Sequence, residues 1–372
     1  MSISFHEALA AAAAIAARSP SSHNCQPWAL AHVVSDLARR RAVALCGDSD
    51  ADGEFLLLMA DRTRELVTLP AHHVEMQLSC GLFWRLLERA MAAQGWMVRG
   101  VITPAAADLG VLGVPTDRRP LRLARFERTD DPAESFTRLR NLAAARHTDR
   151  GPYLDRPIPR EVLDTLKSPS ADSTQPISVR LLTSESDRSR FARFVARNAS
   201  RDFTDSPAWR ETHSFIRRSE AEARELGDGF TFTQLFGPMS RPQTLLRRIV
   251  LAPVTMRALS RTGLPEILAR QLAAIVRRTP VVVMLTLPTP SVDDEQLLAA
   301  GEALTDFWLR VTDAGLVLHP ISIVVQHDDL RNRLQAEFSL SGLVFFAARL
   351  GYSTGRFPPS PRRDPADSLR VL

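Results

Sequence analysis

Side chains able to grip a flat, polar-edged ligand gather in one short segment, Ser19-Pro20-Ser21-Ser22-His23-Asn24-Cys25-Gln26-Pro27-Trp28. Ser21, Ser22, Asn24 and Gln26 bring hydroxyl and amide groups that donate and accept, and a turn-rich loop can aim them into one pocket. A second group, Arg146-His147-Thr148-Asp149-Arg150, spaces arginines along an extended strip with His147 and Thr148 between them. Guanidinium forks of this kind suit a phosphate dianion, which accepts paired charge-assisted hydrogen bonds. The same residues would equally make a solvated charged turn. Further on, Pro358-Pro359-Ser360-Pro361 fixes an extended path that closes on Arg362 and Arg363. Last, Leu316-Val317-Leu318-His319-Pro320-Ile321-Ser322 puts a histidine at the end of an apolar strand. There His319 could be a substrate-facing acid or base, or a structural residue.

The elements that must position these groups occur twice. The first segment follows an alanine-rich helical run and leads into a strand, Ala29 to Val34. The segment Ser168-Pro169-Ser170-Ala171-Asp172-Ser173-Thr174-Gln175-Pro176-Ile177 matches it at five of ten positions, at an offset of 149, and also precedes a β-type stretch, Ile177 to Leu182. A second correspondence has an offset of 220. It joins Gly81, a helix from Leu82 to Ala93, Gly95 and a strand from Met97 to Ile102 with Gly301, a helix from Glu302 to Asp313, Gly315 and a strand from Val317 to Ser322. In both, the later glycine suits a left-handed helix cap.

The two offsets differ by 71 residues, so the second copy should carry an insertion of that size, at about residues 200–275. This stretch holds Trp209, Phe215, Phe230, Phe232, Phe236, Met239 and Met256. It reads either as a helical cover for the core or as a lid whose aromatic and Met side chains wall a planar substrate. The run from Pro280 to Leu287 is too apolar to face water on either side, so helices should cover its sheet. The expectation is an α+β fold of two tandem degenerate copies forming an intramolecular pseudo-dimer, with a first unit at 1–130 and a second at 131–372. Neither GxGxxG after a first strand nor GxxxxGK[ST] occurs, which argues against the common dinucleotide and P-loop sites.

Bulk properties narrow the classes further. A chain of 372 residues, 45% hydrophobic and 24% charged, is that of a globular protein of about two domains. The net charge of +5 comes from scattered arginines, Lys167 being the only lysine, and no basic stripe suggests nucleic acid. Cys25, Cys46 and Cys80 fit neither a zinc spacing nor a disulfide framework, so no metal and a reducing cytoplasm are expected. The stretch from Met1 to Ala17 lacks a basic leader and runs straight into the polar loop, as a packed helix would rather than an export signal. No run approaches the ~18 apolar residues of a membrane span.

The segment from Ser21 to Trp28 resembles the SSxNxQPW loop of the nitroreductase family of FMN flavoproteins, with Cys25 where Ser or Thr is usual. The strip at Arg146–Arg150, followed by Asp155-Arg156-Pro157-Ile158-Pro159, resembles that family's arginine-rich phosphate segment, and Gly351-Tyr352 with Pro358-Pro359 and the closing arginines resembles its C-terminal segment. The resemblance implies FMN as cofactor. Ser21, Ser22, Asn24 and Gln26 would meet the isoalloxazine, while Arg146, His147, Thr148 and Arg150 would hold the ribityl phosphate and pyrimidine edge. Arg362 or Arg363 would reach the phosphate, and the backbone of Pro320, Ile321 and Ser322 would pass near flavin N5, with His319 beside it.

The second loop copy has Ser173 and Ile177 where the first has Asn24 and Trp28, and Asp61-Arg62-Thr63-Arg64 lacks a proline-arginine end. One complete site, one ruined site and one FMN per chain are therefore expected. The layout resembles the mycobacterial Acg-type proteins, whose lid covers the flavin, and the prodigiosin-pathway oxidoreductases that oxidise a bipyrrole alcohol to an aldehyde. These resemblances imply hydride transfer on a small aromatic or heteroaromatic substrate, with NAD(P)H or oxygen as partner, in a monomeric pseudo-dimer or a homodimer. The alternatives are an Acg-type flavin-sequestering protein without turnover and an NAD(P)H-dependent nitro or quinone reductase.

Overall fold

The computed structural model describes residues 3–47, 53–132, 134–168, 176–355 and 357–372. Within them the strands form two sheets of the same internal order. The first holds β1 (Trp28–Val33), β2 (Glu54–Asp61), β3 (Trp96–Ile102) and β4 (Arg118–Arg128), arranged β3-β4-β2-β1. The second holds β5 (Ser178–Leu182), β6 (Val281–Leu287), β7 (Val317–Pro320) and β8 (Leu343–Gly351), arranged β7-β8-β6-β5. All these neighbours pair antiparallel. The late strand β9 (Leu369–Val371) crosses to the first sheet and pairs parallel to β1, so the second unit's end is woven into the first.

Strand register recovers the repeat independently of the loops. The β2–β4 pair shifts register between Leu58 and Met59, and the β6–β8 pair between Leu285 and Thr286. Matching these bulges makes Thr286 the counterpart of Met59. Their partners are Ser178 and Ala29, which are 149 residues apart, the offset read from the loops. The second loop itself, residues 169–175, lies outside the described residues.

The units meet through two long helices, Pro70–Ala92 and Asp294–Asp313. The sequence suggests helices starting after Gly81 and Gly301; instead each glycine lies inside its helix, where the two backbones touch. A Cβ on Gly81 would stand 1.9 Å from the Leu298 carbonyl oxygen, and one on Gly301 would stand 2.3 Å from that of Leu78. A residue can meet its own counterpart only on the axis relating two copies, so Gly81 and Gly301 mark that axis. Gly95 and Gly315, just past the helix ends, both have left-handed backbone (φ 82° and 71°).

Strand β6 is buried along its whole length. Val281, Val283, Leu285 and Leu287 face the cluster containing Phe307 and Trp308, whereas Val282 and Met284 face the helices Glu185–Asn198 and Leu264–Arg277. The period-2 alternation thus fills two hydrophobic layers, as a sheet covered on both faces requires. Between β5 and β6 the chain makes a series of helices with a small core of its own, built on Phe232, Leu251 and Met256 with Trp209 and Met239 packed against it. At the other end of the chain, Phe5–Ala16 is a helix with a Ser4–Glu7 capping box, its buried face of Phe5, Leu9 and alanines lying on the core. Among the described residues no helix is long and apolar enough to cross a membrane.

Candidate active site

Four non-glycine residues of the described chain have positive φ, and three of them are His23, Asn24 and Gln26. This strained run turns the loop's side chains in different directions. Ser21 and Ser22 face a cavity of about 320 Å³, at the small end of the usual ligand-pocket range. Asn24 and Gln26 face away, into the protein. The Asn24 amide donates to the carbonyls of Gly229 and Pro361, both at 2.9 Å, and its oxygen accepts from Arg362 at 2.9 Å. The Gln26 amide donates to the Gly227 carbonyl at 2.8 Å, and its oxygen accepts from the Arg363 N–H at 3.1 Å. Asp228, at the tip of that turn, is ion-paired with both Arg64 and Arg217. The loop therefore fastens both the Gly227–Gly229 turn and the C-terminal strap.

The strip from Arg146 to Arg150 reaches the same cavity because it runs beside β7, with Thr148 bridged to Leu318 and the Asp149 N–H donating to the Leu318 carbonyl. Buried Asp149 caps the turn by accepting from the Gly151 N–H at 2.8 Å and from the Ser353 hydroxyl. Thr148 and Arg150 line the cavity, as do His319, Pro320 and Ser322. Its apolar wall includes Leu82, Leu304, Trp308 and Phe346, closed on one side by Thr212, Phe230 and Leu235 from the inserted helices. His147 instead turns to the Ala145 carbonyl at 3.0 Å, and Ile321 is buried in the outer core. The Ile321 N–H donates to Ala347 and Pro320 has none, so Ser322 supplies that segment's backbone donor. A larger groove, about 1190 Å³, runs along Pro152–Ile158 but contains none of these residues.

Behind Trp308 lies a cluster of cations. Arg146 is buried, stacks 5.0 Å over the Trp308 ring and spends one nitrogen on the Arg18 carbonyl at 2.7 Å. Its Nε and Nη1 are buried without a partner. Burial, then Arg362 and Arg18, push its pKa well below the ordinary arginine value. Burial and Arg18 likewise bring Arg362 down to about 10. Arg363 differs: burial and Arg64 lower it to about 10, but Asp61, Asp367 and Asp228 work in the opposite direction. Three guanidinium groups with no carboxylate partner among the described residues, one carrying orphaned buried donors, fit an anion of high charge. That separates Arg362, which shares the cluster, from Arg363, whose charge is partly offset by the acids near it.

His319 is held by a residue the motifs do not single out. Fully buried Arg349 donates to the Thr279 hydroxyl at 2.8 Å and the Gly151 carbonyl at 2.6 Å, and stacks 4.2 Å over Tyr153. Its third arm reaches His319 Nδ1 at 3.0 Å. Arginine can only donate, so Nδ1 accepts and Nε2 carries the proton. Burial, Arg349 and Arg150 hold the imidazole pKa well below its usual range. His23, also on the cavity, is lowered to about 3 by burial, His72 and Arg150. Glu75, from the Pro70–Ala92 helix, is the one carboxylate among the described lining residues.

The corresponding place in the other half is filled. The helix offset of 220 equates Leu82 with Glu302 and Glu75 with Glu295, and the matched bulges equate Phe346 with Arg122. Where the cavity has Leu82, Phe346 and Glu75, the second half has Arg122 ion-paired to both Glu302 and Glu295. Arg122 also lies 5.7 Å over Trp84, the counterpart of cavity-lining Leu304.

A family profile and a full-length relative point to one family. The profile described as Nitroreductase family matches residues 143–352. A curated protein from Serratia sp. (strain ATCC 39006), named probable NAD(P)H nitroreductase PigM, is 32% identical over 363 residues, covering 96% of this chain and 92% of that protein. Among solved structures, the FMN-dependent nitroreductase NfnB from Mycobacterium smegmatis in complex with NADPH aligns with a TM-score of 0.40 and 16% identity over 62% of this chain and 96% of its own. Iodotyrosine deiodinase bound to FMN and 3-iodo-L-tyrosine aligns with a TM-score of 0.34 and 15% identity over 60% and 94%. By the extent of the profile and of the full-length relative, the chain belongs to the nitroreductase family.

Proposed function

We propose that the protein is an FMN-dependent oxidoreductase with one flavin per chain, acting by hydride transfer on a small aromatic or heteroaromatic substrate. The observation that carries this reading is the cluster of Arg146, Arg362 and Arg18, with two orphaned buried donors, set beside an aromatic-walled cavity. The cluster suits the phosphate, and the cavity beyond Trp308 suits the ring and a planar substrate. Bound there, FMN would supply a two-electron acceptor or donor. The chain's own part is to orient and to exclude water. Ser21, Thr148 and Arg150 offer hydrogen-bond donors to a ring edge, Ser22 offers a hydroxyl oxygen as acceptor, Ser322 offers a backbone N–H, and Phe230 and Leu235 wall one side of the site.

The unit boundaries at 1–130 and 131–372, with a lid at about 200–275, belong to the same reading. Thr212, Phe230 and Leu235 reach the cavity from that stretch while its later helices cover the sheet. A closed wall of this kind favours a dedicated dehydrogenase, such as one oxidising a bipyrrole alcohol to an aldehyde, over a promiscuous nitro or quinone reductase. The same wall favours a second reading, a protein that sequesters flavin without turnover. Anaerobic bleaching decides. Purified protein should be yellow with one FMN per chain and should bleach with NADPH or aromatic alcohols. Yellow protein that neither bleaches supports sequestration, and colourless protein that takes up no FMN refutes both.

A further inference from the structure

We propose that Glu75 is the proton-accepting group of the cavity, and that His319 is not. The proposal rests on the oxidoreductase reading above and adds the residue that handles the substrate's proton. Oxidising an alcohol breaks two bonds to hydrogen. The hydride leaves the carbinol carbon for the oxidised flavin, and the hydroxyl proton must go to a base as the C=O bond forms. A side chain on the cavity wall can take that proton directly, being held beside the substrate.

Geometry removes the histidines. His319 Nδ1 is occupied by an Arg349 arm that cannot swing away, being anchored on Thr279, Gly151 and the Tyr153 ring. Its Nε2 then carries a hydrogen and can donate to a ligand but not accept a proton. His23 is enclosed by His72, Phe215 and Phe230, with Arg150 opposing any positive charge. Glu75 remains. One carboxylate oxygen accepts from the Ser22 hydroxyl, and the other accepts from the Gln326 amide at 3.3 Å. Neither partner is a cation.

The charged groups facing it are already committed. His72, on the same helix, is paired with Glu211 at 2.9 Å. Asp202, from the inserted helices, is paired with His327 at 2.8 Å. Arg150 and His319 lie on the β7 side of the cavity. Burial raises the Glu75 pKa above the usual glutamate value, which brings it closer to that of a base working near neutrality. The counterpart makes the contrast. Glu295 is neutralised by Arg122, as expected of a carboxylate whose half-site does no chemistry.

The test compares E75Q with E295Q in the FMN-loaded, full-length protein. Hydride transfer from NADPH releases no hydroxyl proton, whereas transfer from an alcohol does. With pyrrole-2-methanol as the probe, E75Q should slow anaerobic flavin bleaching by about 100-fold or more, and the acid limb of the wild-type pH profile should disappear. In E75Q, bleaching by NADPH should slow far less than bleaching by the alcohol, and E295Q should keep the wild-type ratio of the two rates. Independently of turnover, infrared difference spectra of the apo-protein should show several carboxyl bands above the ordinary range, since burial also raises Asp202 and Glu302, and one of these bands should vanish in E75Q and persist in E295Q. Alcohol-driven bleaching by E75Q at the wild-type rate, or an E75Q spectrum that has lost no carboxyl band, overturns the assignment. A wild type bleached by neither reductant sinks the oxidoreductase reading instead, and the infrared measurement alone then decides whether Glu75 is the titrating carboxyl.

Discussion

Replacing Arg146 with glutamine should separate flavin binding from fold stability, because the two should move in opposite directions. In the protein without its ligand, Arg146 is a buried cation with one hydrogen bond, two unpartnered nitrogens and two further arginines as its charged neighbours. Desolvating such a group opposes folding. The neutral amide should therefore raise the apo-protein's melting midpoint, where about 1 kcal/mol moves a chain of 150–250 residues by roughly 2–4 °C. In the complex the same substitution removes one member of a buried cation–phosphate pair, a loss of about 2–5 kcal/mol. Affinity should fall by about 30-fold at the low end and by more than a thousandfold at the high end. Fluorescence titration of apo-protein with FMN, paired with thermal melts, measures both. Arg363→Gln is the contrasting variant. Arg363 holds the carbonyls of Gln26 and Trp28 at 3.1 and 3.2 Å and has acids around it, so its loss should lower apo stability and cost less affinity. If R146Q melts lower and binds FMN as tightly as wild type, while R363Q loses binding, the phosphate has been placed at the wrong arginine.

Two other outcomes are expected from the packing. His23 is lowered from 6.5 to about 3 in the folded protein, so the unfolded chain takes up its proton first and stability should fall as pH drops from about 6.5 toward 3. His23→Asn, which tolerates the left-handed φ of 48°, should flatten that part of a urea-stability profile, and an unchanged slope would contradict the assignment. Gly301→Ala would drive a Cβ to 2.3 Å from the Leu78 carbonyl and should cost about 3 kcal/mol. Gly110→Ala, with open space around it, should shift the urea midpoint little, and equal effects would refute the axial contact.

The repeat is legible in the sequence because it rests on local grammar: a Ser-Pro-Ser…Gln-Pro loop before each first strand, and a cap glycine after each central helix. The helix starts are misread for a related reason. Glycine inside a helix reads as a boundary, and nothing local reveals that a second backbone will press on Gly81 and Gly301. The arginine strip and His319 are visible as types at strand ends, and they do reach one cavity. The directions of Asn24 and Gln26 are not visible, since they depend on left-handed backbone at three non-glycine positions and on partners more than 200 residues away. Arg349 and Glu75 cannot be picked out at all. Each sits inside an ordinary apolar or amphipathic element, and its role comes from the register of distant strands and from what the opposite wall lacks.

That asymmetry explains why fusing the halves matters. In a symmetric homodimer every substitution enters both sites, so a Glu at the Leu82 position or an Arg at the Phe346 position would damage each of them. In one chain the halves diverge freely. A vacated half-site cannot simply remain empty, because an apolar void forfeits packing. Arg122, Glu302 and Glu295 fill it with charges that satisfy one another, and Arg85 and Arg89 share Asp306 beside them. Burial still raises Glu302 to about 7 in spite of Arg122, so this cluster is poor as a source of stability. Its value is in specificity of packing: the network spans the helix pair at the pseudo-axis and can be satisfied in one arrangement of the two units. The filled half thus ties the two units together across the helix pair, while the lining of the open cavity stays largely apolar.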